Sequence, residues 1–181
     1  MFKVKGLLCY GLSIVGMVTV VLAVSKAWAM TVNYAVARLT LVNLLRSNPK
    51  GALQYCRSVP GTFFDSVAAA IVTASMAQTQ DLKMIQSATY PSYDAGGMAV
   101  GTAWKMLLGK AKLGVGMAWG AVAAAVAAKV GVVPLVIFAI MTLLALGWLF
   151  WSKMESERIM VLARHEILPE VDRVFVEGRY A

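Results

Sequence analysis

Chemistry requires side chains that hold or move a proton, attack an electrophile or ligate a metal, and those groups must converge. This chain supplies few of them. Its one histidine, His165, stands beside Glu166 in a charged tail, where Glu155, Glu157, Glu170, Asp172 and Glu177 interleave with Arg158, Arg164, Arg173 and Arg179. That alternation is the pattern of a solvated helix face. Cys9 lies within an apolar run and Cys56 in the middle of the chain with no CxxC, so neither a disulfide framework nor a thiolate metal site is expected. HExxH, P-loop and GxSxG motifs do not occur. We therefore expect no catalytic residue, no metal ligands and no cofactor, and a protein that is not an enzyme. A lipid-modifying enzyme would need a convergent polar site, which the sequence does not offer.

The most informative spacing is steric. Gly116, Gly120, Ala124 and Ala128 recur at intervals of four. On a helix they form one face of small residues, which lets a second helix approach closely in lipid, where dispersion and weak hydrogen bonds replace the hydrophobic drive. The face can serve packing within the chain or between copies, and the spacing alone does not choose. A second pattern lies in the tail, where Met160-Val161, Ile167-Leu168 and Val174-Phe175 recur every seven residues. Val161, Leu168 and Phe175 then make a stripe suited to docking a partner helix, with Pro169 forcing a kink or a restart. Folding of that tail onto its own chain is the competing outcome.

The elements that must carry these faces follow from composition. Of 181 residues, 60% are hydrophobic and 14% charged, and the mean hydropathy is +0.71. A soluble domain carries roughly a quarter charged residues, so lipid is the expected solvent, and disorder is excluded. Gly6 to Val24 is an apolar run behind Lys3 and Lys5, long enough to cross a hydrocarbon core of about 30 Å. Ala27-Trp28-Ala29 resembles a signal cleavage site, but the run is taken as an uncleaved anchor. Leu113 to Ala128 is a shorter apolar run behind Lys105, Lys110 and Lys112, and Val132 to Trp151 is a third, closed by Trp148, Trp151 and Lys153. The expected fold is thus an all-α, polytopic integral membrane protein with three transmembrane helices, a soluble block of short helices and an amphipathic C-terminal helix.

Four regions are expected. Residues 1–47 form an anchor helix that continues beyond the bilayer until Asn48-Pro49 stops it. Residues 48–111 form a polar and amphipathic block, with turns at Ser58 to Gly61, a capping pair Thr62 and Asp65, and a helix end at Tyr90-Pro91. Residues 112–151 form a helical hairpin turning at Lys129-Val130-Gly131, and residues 152–181 form the tail. The spans contain no Asp, Glu, Arg or His, which disfavours a self-contained ion pump. The net charge of +8 sits largely in the segment between Lys26 and Lys112, the expected residue of topology selection, and places the large polar parts in the cytoplasm. Without an RNP motif, zinc-finger spacing or basic helix, nucleic acid is not an expected partner.

The order of one span, a block of short helices, two spans and a helical tail resembles the MotA/TolQ/ExbB family of ion-driven motor subunits. Asn48-Pro49-Lys50-Gly51-Ala52-Leu53, followed by Pro60-Gly61 and an Ala-rich helix, is similar to that family's cytoplasmic block. The family's Gly-Leu-x-Gly-Thr-Val signature is absent, since Gly114-Val115-Gly116-Met117 lacks the threonine, and no functional residue is carried over. A paired apolar hairpin with a basic turn is also similar to conjugative pilins, from which the long tail departs. The expected function is a non-enzymatic structural subunit of a multi-component bacterial membrane assembly of the secretion or conjugation type, placed in the inner membrane. Its expected partners are membrane lipids, other subunits and further copies of itself. The alternative is a channel or ion-driven motor subunit that forms a path with other copies or with an acidic partner.

Overall fold

The computed structural model describes residues 2–77, 79–129 and 131–178; Val130 of the expected hairpin turn and Arg179 of the tail lie outside the described residues. The described residues form α1 (Phe2–Ala29), α2 (Tyr34–Ser47), α3 (Pro49–Arg57), α4 (Phe63–Ala77), α5 (Leu82–Ala127), α6 (Val133–Glu166) and α7 (Leu168–Val176), with no strand among them. The fold is all-α, as the composition implies. The chain divides into two compact units: unit 1 is Met1–Ala29 with Trp104–Lys153, and unit 2 is Met30–Ala103 with Met154–Ala181.

Unit 1 is built from α1, the second part of α5 and the first part of α6. Among the described residues two helices are long and apolar enough to cross a membrane, the one over Gly6–Ala29 and the one that starts at Val133. The expectation of three is corrected, because the run at Leu113 does not qualify. Its helix ends at Ala127 and its preceding turn holds Lys110 and Lys112, leaving an apolar length of about 22 Å at 1.5 Å per residue, short of the roughly 30 Å required. Gly114, Gly116 and Gly120 dilute it further. One core cluster is made of small and medium side chains, Cys9, Ala118, Val122, Ala125, Leu135 and Ala139, and Trp104 and Leu149 are also buried in this unit. At the turn after α5, Lys129 takes φ +56°, and the Tyr10 hydroxyl donates to the Gly131 carbonyl at 3.1 Å.

Unit 2 has a different kind of core, centred on Leu41, Leu45, Phe64, Ile71, Ile85 and Leu168. The expected continuous helix over residues 1–47 is two helices, because the chain leaves helical geometry at Thr31–Asn33 and the Asn33 side chain caps α2 by accepting from the Val36 amide. Asn48 serves both neighbours. Its amide donates to the Leu44 carbonyl to close α2, and its side chain accepts from the Gly51 amide to open α3. Before α4, the Thr62 hydroxyl accepts from the Phe64 amide at 3.3 Å while the Asp65 carboxylate accepts from the Gly61 amide at 2.6 Å. This is a capping pair with the acid reaching one residue further back than in the usual box.

The expected helix end at Tyr90-Pro91 is also corrected, since α5 runs through Pro91. Pro91 and Ser87 are both exposed. The Ser87 carbonyl that loses its donor can therefore be hydrated, which removes most of the penalty of an interior proline. Pro169, by contrast, does restart the helix, at the start of α7.

Candidate functional site

The tightest helix contact in unit 1 joins α1 to α5 through two glycines. A Cβ on Gly16 would stand 2.5 Å from the Gly114 carbonyl oxygen and 3.0 Å from the Ala118 amide nitrogen. A Cβ on Gly114 would stand 2.6 Å from the Gly16 carbonyl oxygen and 2.8 Å from Val20 Cγ2. Backbone therefore lies on backbone, and neither position has room for a side chain. Sequence reasoning missed this pair. Its signal was Gly114 followed by Ala118, a small-residue spacing of four interleaved with the series that was chosen.

The chosen series lies elsewhere. Gly116 and Gly120 have nothing within 4 Å of a built Cβ, Ala124 is exposed and Ala128 is half-buried. Gly116, Gly120 and Ala124 do not pack within unit 1. The missing side chains leave a shallow groove of about 490 Å³ along α5, bordered by Leu12, Lys112, Leu113 and Met117 and floored by the glycines.

In the tail the three stripe residues separate. Val161 is 57% exposed, whereas Leu168 and Phe175 are 0% and 7% exposed and belong to the unit 2 core. The expected docking face is corrected on that ground, because two of its three members are already buried against their own chain. The restart at Pro169 rotates the α7 stripe inward, and α7 packs on α2 and α4. Polar pairs then fix its register. Glu166 accepts from the Tyr34 hydroxyl at 2.8 Å and pairs with Arg38 at 2.9 Å. Arg46 forks onto Glu170 at 2.7 and 3.2 Å, which holds the Glu170 carboxyl below its ordinary range.

One acid of α7 is buried with the apolar side chains. Asp172 is 1% exposed; its Oδ1 accepts from the Thr89 hydroxyl at 3.1 Å, and its Oδ2 has no hydrogen-bond partner among the described residues. Burial pushes its pKa up, against the opposing pull of Thr89 and Gln86. On α5 and α6, Arg164 pairs with Asp94 at 3.1 Å and lies over the Tyr90 ring, and the Tyr93 hydroxyl donates to the Met160 carbonyl.

These groups tie helices to one another. Burial pushes the Cys56 thiol up to about 12, which leaves it protonated and unreactive at neutral pH. His165 is exposed. Among the described residues no three His, Cys, Asp or Glu side chains come together as metal ligands. What the arrangement offers is surface: an apolar exterior on unit 1, a small-residue groove on α5, and a self-contained helical block. No protein-family model, curated protein or solved structure matches the chain.

Proposed function

We propose that the protein is a non-enzymatic structural subunit of a multi-component bacterial membrane assembly, seated in the inner membrane by unit 1. The observation that carries this reading is the α5 face of Gly116, Gly120 and Ala124, which is exposed and takes no part in packing its own chain. In lipid such a face gains energy only when a helix lies against it. The apolar exterior around it supports the membrane setting: Leu7 is 76%, Val133 70% and Leu144 66% exposed, far more large apolar surface than water tolerates on one unit.

The test is assembly. Gly116→Leu and Gly120→Leu place their Cβ atoms in open space and fill the groove, so the expected outcome is unchanged insertion, with resistance to alkaline carbonate, and a smaller species on a native gel. Full assembly of both variants would remove the groove from the interface. An ion path would need carboxylates from elsewhere, because unit 1 contains none; ion flux from the protein reconstituted alone would instead favour the channel or motor reading.

A further inference from the structure

The two units divide the charge of the chain completely. Residues 1–29 and 104–153 hold eight lysines and no Asp, Glu, Arg or His, whereas residues 30–103 and 154–181 hold nine Lys or Arg against nine Asp or Glu. The whole net charge of +8 therefore belongs to the apolar unit. Unit 2 matches its arginines to carboxylates, as in Arg46 with Glu170 and Arg164 with Asp94. Unit 1 has no counter-charge of its own.

Five of its lysines gather at one end. Trp28 of α1 stacks on Trp148 of α6 with ring centroids 5.9 Å apart, and the Lys112 ammonium of α5 lies 5.5 Å from the Phe150 ring centroid. The first contact ties α1 to α6 and the second ties α5 to α6, with Lys26 two residues before Trp28, Lys153 three residues after Phe150, and Lys105 and Lys110 in the two turns before Lys112. Lys26, Lys105, Lys110 and Lys112 are exposed, and Trp151 beside them is 63% exposed. At the opposite end, where Tyr10 meets Gly131, the turn contributes Lys129, and Lys3 and Lys5 stand near the start of α1.

Tryptophan and lysine at one level of an apolar helix unit mark the depth of lipid headgroups. Lysine stems lie along apolar surface while the ammonium reaches outward, and the ammonium is a compact point charge suited to phosphate without the bidentate geometry of arginine. The anion at that depth is the headgroup phosphate. We propose that the lysine collar at the Trp28–Trp148 end of unit 1 binds anionic phospholipid headgroups, and that this end occupies the leaflet richer in them. The inference rests on the membrane reading above, and adds a lipid class and a site to it.

The test uses the full chain in vesicles of equal parts phosphatidylcholine and phosphatidylglycerol, with brominated acyl chains on one lipid or the other, and reads quenching of tryptophan fluorescence. The expected result is a severalfold preference for phosphatidylglycerol as quencher that falls as salt is raised. The triple variant Lys105→Gln, Lys110→Gln, Lys112→Gln should lose most of that preference, and Lys129→Gln should keep it. Equal quenching by both lipids in the parent protein overturns the headgroup assignment. A preference that survives the triple variant overturns the assignment to the collar. Quenching by neither lipid is a different failure, because it removes the membrane reading itself.

Discussion

Units 1 and 2 use the same helical vocabulary with opposite distributions of large side chains. In unit 2 the large side chains, such as Phe64, Leu41 and Ile71, are fully buried, and the surface carries paired charges. In unit 1 most buried side chains are Ala, Cys or Val, with larger exceptions such as Trp104, Leu135 and Leu149, while many Leu and Ile side chains and Trp28, Trp119 and Trp151 face outward. The difference reflects where free energy can be gained. In water, removing about 25 cal/mol per Å² of apolar surface drives the large residues inward. In lipid, the solvent proposed for unit 1, that drive vanishes, and close backbone approach of the kind seen at Gly16 and Gly114 takes its place. A helix stripe therefore has no fixed meaning until its solvent is known.

The contrast predicts where substitutions hurt most. Leu168→Ala removes a fully buried side chain from unit 2 and should cost about 2 to 5 kcal/mol, seen as an earlier loss of unit 2 helix in detergent melts while carbonate resistance persists. An unchanged melt would mean that α7 is not part of that core. Gly114→Val should cost about 1 to 3 kcal/mol or more by overpacking, because its Cβ meets the Gly16 carbonyl. Gly116→Val, two residues away, should change the chain's own stability by less than about 0.5 kcal/mol. Equal destabilisation by the two valines would put the α1–α5 contact in the wrong register.

The unequal legibility of the sequence has the same origin. The Asn48-Pro49 boundary, the opening of α4 and the restart at Pro169 were readable because local hydrogen-bond chemistry fixes them. That α1 and α6 are long and apolar enough to cross a membrane was readable because it is a sum over many residues. The partner of each face was not. Gly114 and Gly116 have similar spacings to their small neighbours, and only the direction from which α1 arrives decides that Gly114 is used. The heptad doublets of the tail likewise do not say whether the facing helix is foreign or its own α2 and α4. Pro91 misled for a third reason, since its effect depends on whether the carbonyl it leaves unpaired is exposed.

A smaller effect, with a defined pH window, should separate the buried acid from the paired ones. Burial raises the Asp172 pKa above its unfolded value, so the folded chain holds that proton more tightly than the unfolded chain. Its contribution is fully present below the ordinary carboxylate range and is lost as pH rises through the raised folded value. Glu170, lowered by Arg46, works in the opposite sense and loses its contribution as pH falls. Asp172→Asn removes the first dependence alone. The variant should be about 1 kcal/mol more stable than the parent at neutral pH, with the gain shrinking towards acid in melts followed across the window. A gain independent of pH would show that the Asp172 pKa is the same in the folded and unfolded chains.

The smallest effect belongs to the turn of unit 1. Lys129 adopts φ +56°, a left-handed conformation that costs a residue with a Cβ about 1 to 2 kcal/mol and costs glycine almost nothing. Glycine also brings more freedom to the unfolded chain, which returns roughly 0.5 to 1 kcal/mol of that gain. Lys129→Gly should therefore stabilise unit 1 by no more than about 1 kcal/mol. Lys129→Ala keeps the Cβ and removes only the charge, so it should give no such gain, and a differential melt of the two variants separates backbone strain from electrostatics. Equal behaviour would mean that the charge, and not the backbone, sets the energy of the turn. Because the lysine collar lies at the other end of the unit, neither substitution should alter lipid preference, and the turn can be tuned without touching the surface that meets headgroups.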